Sequence, residues 1–165
     1  MSLQLHLAAP AELDVGTLYR ILQLRVDVFV VEQRCPYREL DGRDLDPGTR
    51  WLWASDAGAV LATLRILRAE DGTARIGRVA TARQARASGI ASDLMRRALV
   101  FLDSEASAAR SGGGRPAGIE VLLDAQTPLT AWYQRFGFEP AGPEFVEDGI
   151  SHLPMRRPGQ LSRQP

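Results

Sequence analysis

The feature that most constrains this chain is a change of apolar period in its middle. Over TARIGRVAT (residues 73–81) apolar and other residues alternate as they do in a strand. From Gly89 the period shifts from two to nearly four. Ile90, Leu94, Ala98 and Leu102 recur at every fourth position with Met95 and Phe101 beside them, which predicts a helix of about four turns. IEVLLDA at 119–125 then reads as a short apolar strand. Strand, helix and strand across 74–124 form a βαβ unit, so two parallel strands must lie in one sheet.

The flanks supply the other elements. LQLHLA at 3–8 alternates as a half-buried strand does, and Pro10 precedes a helical stretch whose Leu18, Ile21, Leu22, Val28 and Phe29 form an apolar face. Residues 34–50, RCPYRELDGRDLDPGTR, are polar and rich in Pro, Gly and Asp, and read as a loop. RWLWAS and AVLATLRILR flank the turn signal DAG, and Asp71-Gly72 marks a second hairpin. Trp51 and Trp53 alternate along the first of these strands and share a face. Residues 106–118 read as a flexible surface connection. Thr127 followed by Pro128 signals a helix start as a capping threonine, and Gly137 its C-cap. Two short strands are expected near Phe138 and Leu153. The order predicts an α/β (α+β) domain with a mixed sheet, spanning 1–157 with a tail at 158–165.

Composition narrows the function classes. Twenty basic residues balance twenty acidic ones, and every basic one is arginine, as expected of a GC-rich bacterial coding sequence. Without a net positive field no nucleic-acid partner is expected. No run of 18 apolar residues occurs, so no membrane partner is expected, and the N-terminus lacks a basic leader. The single Cys35 has no internal disulfide partner, reads as a small loop hydrophobe and suits a cytoplasmic location. No metal site is expected.

The segment RVATARQARASGIASDL (78–94) carries the functional signal. Small residues at RASGIA (86–91) stand where the helix begins, and a first helical turn offers unpaired N–H groups to an anion. Arg83 and Arg86 add charge-assisted contacts. The alternative is a turn that needed its glycine, with two solvated arginines. A Walker-type P-loop is excluded by the lack of GK[ST], and a Rossmann fingerprint by the lack of G-x-G-x-x-G.

Together, Arg86-Ala87-Ser88-Gly89-Ile90-Ala91, following the fourth strand and opening a helix, and Tyr133 four residues before Gly137-Phe138 resemble the GNAT acyltransferase superfamily. LQLRVDVFVVEQRCPY (22–37), IGRVAT (76–81), WYQRFGF (132–138) and EDGISHLPM (147–155) look like its ElaA-type subgroup, over roughly residues 15–157. The resemblance implies the GNAT fold, a sheet of six to seven strands with helices on it, whose parallel fourth and fifth strands splay apart. It also implies coenzyme A, as acetyl-CoA, held by Val79, Ala80, Thr81, Arg83, Arg86, Ala87, Ser88, Gly89, Ile90, Ala91, Ser92 and Gln126. Ala87 and Ala91 depart from the glycines common in that loop; Ala91 suits helical angles, whereas Ala87 matters if its φ must be positive. Gln126 stands where many relatives carry asparagine.

The implied reaction moves an acetyl group to a small-molecule or peptide amine by direct attack in a ternary complex. Backbone N–H in Val79–Thr81 would bond the thioester carbonyl and stabilise the oxyanion. An amine with a pKa near ~10.4 must first lose a proton; the candidate bases are Glu32, Asp41, His152 or water. Tyr133 matches the family's general acid toward the leaving thiolate, though a phenol near ~10 protonating a thiolate near ~8.5 is uphill by roughly 2 kcal/mol. The resemblance makes Phe29 and Tyr37 walls of the acceptor site. Arg25, Arg65 and Asp41 are candidates for binding the acceptor, the two arginines if it is acidic and otherwise as solvated charges. GNAT domains often pair, so a homodimer is implied. The competing reading is a noncatalytic acyl-CoA-binding or sensing module of the same fold.

Overall fold

In the computed structural model, which describes residues 2–110 and 118–159, the chain runs β1 (Gln4–Ala8), α1 (Val15–Val26), β2 (Arg50–Asp56), β3 (Ala59–Arg68), β4 (Ala74–Thr81), α2 (Ile90–Arg110), β5 (Val121–Gln126), α3 (Thr130–Gln134), β6 (Glu139–Pro140), β7 (Phe145–Glu147) and β8 (Ile150–Arg157). The strands hydrogen-bond in the order β1-β2-β3-β4-β5-β8-β6, with β7 beside β8. Among the described residues the sheet has eight strands, with residues 138–157 folding into three segments rather than two. The βαβ unit is as predicted: β4 and β5 are parallel, paired at Ala74↔Val121 and Arg75↔Leu122. That ladder covers only two residue pairs, whereas β5 continues against β8 to Gln126↔His152.

Two compact units divide the chain: the first takes in residues up to Leu67 and Ile76–Met95, the second Arg68–Arg75 and residues from Arg96 onward. In the first unit Ile21, Trp51, Leu52, Leu64, Ile66, Ile76, Leu94 and Met95 are almost wholly buried. In the second, Ala98, Leu102, Val121, Leu123, Ala125 and Met155 play that part. Apolar area removed from water is the main stabilising term in each.

Local chemistry explains the boundaries. Asp14 caps α1 by accepting the Thr17 N–H at 2.9 Å, which also lowers its pKa. After Val26 the helix widens into a π-turn over Asp27–Glu32, with Gln33 N–H donating to Val28 O at 3.3 Å and Cys35 N–H to Val30 O at 3.2 Å. Such a widened turn often marks a functional segment. The buried face of α1 carries Ile21, Leu24 and Arg25, so an arginine replaces part of the apolar stripe expected from Leu18 and Leu22. Between β2 and β3, Ala57 (φ 47°) and Gly58 (φ 82°) make the positive-φ turn that the right-handed twist of a hairpin favours.

Two expectations are corrected. Helix α2 continues through Ala106–Arg110, which had been read as the start of a surface connection, because alanine-rich ASAAR sustains a helix. Residues 111–117 of that connection, and 160–165 of the expected tail, lie outside the described residues. Thr127 does not cap by its side chain: its Oγ1 donates to Ser151 Oγ at 3.0 Å, and Thr127–Leu129 form a 3-10 turn leading into α3. Gly137 ends the segment at φ 85° with its N–H on Gln134 O, as expected of a C-cap glycine.

Candidate functional site

In the first unit the turn between β4 and α2 is built to present backbone. Arg83–Ala85 make one 3-10 turn, Ser88 Oγ donates to Ala85 O at 2.5 Å, and Asp93 N–H closes onto Gly89 O at 3.0 Å. Ala87 sits at φ 60° and Gly89 at φ 89°, both in the left-handed region. The alanine therefore occupies a position whose geometry a glycine would adopt freely, at a cost of about 1–2 kcal/mol. A side chain built on Gly89 would meet no atom within 4 Å, so the space over the turn is open. Small residues, alternating backbone hand and a helix N-terminus make an anion cradle of the kind that accepts phosphate.

Arg86, the first residue of that turn, is held in place. Its Nη1 and Nη2 donate to Glu32 Oε1 and Oε2 at 2.7 and 2.9 Å, and its Nε to Thr81 O at 3.2 Å. The Arg86 guanidinium holds the Glu32 carboxyl below its usual range. Glu32 thus ends the π-turn as an ionised partner of the loop, and its ordinary basicity is reduced. Arg83, Ala87, Ser88 and Gly89 are exposed, Ala91 and Ser92 half-buried, and Ile90 buried.

A second polar system was not foreseen. The loop read at residues 34–50 sends Glu39, Asp41 and Asp44 inward onto Arg25, Arg65 and Arg78. Arg25 is 0% exposed and donates from Nε and Nη2 to Glu39 at 2.7 Å each and from Nη1 to Asp44 at 2.7 Å. Arg65 donates to Asp41 at 2.6 and 2.8 Å and to Asp44 at 2.7 Å. Arg78 reaches Glu39 Oε1 at 3.0 Å, Glu39 O at 3.0 Å and Asp41 at 3.3 Å. Three guanidinium groups face three carboxylates, so the cluster is neutral. Trp51 lies under Arg25 at 5.2 Å and donates its indole N–H to Asp44 O, and Tyr37 lies under Arg78 at 5.6 Å. Burial raises the Tyr37 pKa.

This arrangement revises the expectations for three residues. Arg25 and Arg65 are neither solvated nor open to an acidic acceptor, being buried and bonded within the cluster. Asp41 accepts the Arg43 N–H as a turn residue does. Arg65, with further help from Arg78, holds its carboxyl far below the usual range, which leaves it a poor proton acceptor. Cys35 is buried and in no disulfide, and Phe29 is half-buried on the π-turn.

Arg78 has a further peculiarity. It stands mid-strand in β4 at φ 54°, next to Val79, Ala80 and Thr81. A non-glycine residue with that φ inside a strand marks a bulge that re-aims the following backbone.

In the second unit, Tyr133 on α3 is 6% exposed, with Trp132 edge-on at 4.8 Å and Phe138 at 6.1 Å. Burial pushes its pKa up to about 12. Proton donation from such a phenol to a thiolate of pKa ~8.5 would be uphill by about 5 kcal/mol. His152 lies on β8 directly across from Gln126, stacked with Phe145 at 5.6 Å. Its Nδ1 is 2.9 Å from Ile150 O. A carbonyl only accepts, so in this bond Nδ1 is the donor.

The likenesses to known proteins agree with this geometry. Residues 21–158 match the family model described as an acetyltransferase (GNAT) domain. A UPF0039 protein of Mycobacterium tuberculosis is 45% identical over 152 residues, covering 90% of this chain and 88% of that one. Protein ElaA of Escherichia coli is 38% identical over 151 residues, covering 89% and 91%. Among solved structures, an acyl-CoA N-acyltransferase from Pseudomonas aeruginosa superposes with a TM-score of 0.83 at 40% identity, covering 94% of this chain and 99% of that one.

Proposed function

The chain belongs to the GNAT acetyltransferase family, and from that premise we propose that it transfers an acetyl group from acetyl-CoA to a primary amine of a small molecule or peptide. The observation that carries the reading is the β4–α2 turn, where Ala87 and Gly89 both take left-handed φ ahead of a 21-residue helix and Arg86 flanks them. That fits a pyrophosphate, with Ala87, Ser88, Gly89, Ile90, Ala91 and Ser92 offering backbone and hydroxyl contacts and Arg83 and Arg86 charge. Bound acetyl-CoA would supply the activated thioester. Backbone N–H in Val79–Thr81 would bond its carbonyl, and Gln126 would offer an amide to the coenzyme.

On the acceptor side Phe29 and Tyr37 contribute apolar walls. Of the three protein bases considered, Glu32 and Asp41 are both engaged by arginines. The role falls to His152, whose Nε2 takes the ammonium proton either directly or through water. Tyr133 donates a hydrogen bond to the departing sulfur while keeping its own proton.

The pinned carboxylates also favour the second reading, a noncatalytic acyl-CoA sensor, over what a free base would allow. A panel of primary amines with acetyl-CoA and a thiol-release readout separates the two. The enzyme releases thiol only with an accepted amine, and Tyr133→Phe lowers kcat more than coenzyme affinity. Binding of acetyl-CoA with no transfer to any amine leaves the sensor.

A further inference from the structure

Among the described residues, the buried ionic cluster reaches β4 through Arg78, at the bulge that precedes Val79. Glu39 is already held at 2.7 Å by two nitrogens of Arg25, and Asp41 by two nitrogens of Arg65. Both carboxylates are thus anchored without Arg78, whose charge balances the third carboxylate of the cluster. Arg78 nonetheless turns from its strand at φ 54° to pair with the Glu39 carboxylate and to donate from Nη2 to Glu39 O and Asp41, with Tyr37 beneath its guanidinium. A residue with a Cβ takes that conformation only when its surroundings over-determine it. We infer that Arg78 is a positioning residue: its side-chain bonds to the 37–41 loop hold β4 in the bulged conformation, and so set the direction of the backbone at Val79–Thr81 that receives the acyl carbonyl. The inference rests on the acyl-CoA reading above.

It makes a prediction that simple stapling of the loop does not. If the side chain matters because it stabilises a left-handed backbone, glycine at 78 loses the bonds yet keeps the bulge accessible, whereas alanine loses both. The experiment binds acetyl-CoA carrying a 13C-labelled thioester carbonyl to the native protein and to Arg78→Gly, Arg78→Ala and Arg78→Gln, and records the carbonyl stretch by difference infrared spectroscopy. Affinity for coenzyme A is measured beside it by titration. A carbonyl bonded to backbone N–H absorbs at lower frequency than the free thioester.

The expected result is a low-frequency band in the native protein, largely kept in Arg78→Gly and lost in Arg78→Ala and Arg78→Gln. Coenzyme A affinity stays within about threefold throughout, because the pyrophosphate turn is untouched. The same band in all four proteins, or equal loss in glycine and alanine variants, overturns the role of Arg78. If Arg78→Ala does not fold, the contrast between Arg78→Gln and Arg78→Gly decides. A native protein that binds neither coenzyme A nor acetyl-CoA overturns the acyl-CoA reading and this inference with it, and is recognised by titration before any spectrum is taken.

Discussion

Arg25 and Arg86 each grip a glutamate with two guanidinium hydrogen bonds of 2.7–2.9 Å, but Arg25 is fully buried whereas the side chains of Arg86 and Glu32 are both more than 40% exposed. The bonds are alike and the surroundings are not. Around Arg25, whose side chain is fully buried, two further arginines and two further carboxylates complete the charge balance, and no partner can leave without stranding a charge. Around Arg86, solvent offers an alternative partner at every moment, so the glutamate can be exchanged for another anion at small cost. Burial makes the first system a fixture of the fold and leaves the second available for a ligand.

The largest effect should come from cutting the buried system. Arg25→Ala leaves Glu39 without its main partner and should lower unfolding stability by about 3–5 kcal/mol, read from denaturant midpoints; a loss under about 1 kcal/mol would show that the cluster is solvated after all. Acid should act in the same direction. Asp41 has a lowered pKa in the folded state, so its contribution is complete above the unfolded value near 4 and is lost as pH falls below it.

Tyr133 extends the comparison to burial without an ionic partner, and its pH dependence has the opposite sense. Below about pH 10 the phenol is neutral in both states. From there to about 12 the unfolded chain loses the proton while the folded one, raised to about 12, retains it. Stability should therefore fall by up to about 3 kcal/mol across that window, and Tyr133→Phe should remove this alkaline component. Equal alkaline slopes in both proteins would mean that the phenol is solvated.

Smaller effects are expected at the exposed turn. Ala87→Gly relieves a side chain at φ 60° and should stabilise the protein by about 1 kcal/mol, visible as a rise in Tm; a lower Tm would show that the alanine is not strained. Glu32→Gln should change stability by less than about 0.5 kcal/mol while raising coenzyme A affinity about two- to fivefold, since a competing carboxylate is gone. Weaker binding in that variant would make Glu32 a support for Arg86 and not a competitor.

What could be read from the chain beforehand follows the same division. The βαβ unit was visible because apolar period is a local property: eight residues of β4 and the first turns of α2 announce themselves without a partner. The β4–α2 turn was visible as a pattern of small residues, but the left-handed φ of Ala87 was not, since alanine by itself favours helical angles. The ionic cluster was hidden because its members are joined only by folding. Arg25 and Glu39 are 14 residues apart and Arg78 and Glu39 are 39 apart. Two signals did exist: Arg25 follows Ile21 by four positions on the buried face of α1, and Arg65 interrupts the apolar run LATLRIL.

The central claim, that the exposed arginine and its turn seat an acyl-CoA pyrophosphate, is tested most directly by titrating the native protein and Arg86→Ala with acetyl-CoA in a calorimeter. The account predicts binding by the native protein and a loss of about 10- to 100-fold in Arg86→Ala, the value of one charge-assisted bidentate contact. Equal affinity in the two proteins, or no heat in the native one, would contradict it.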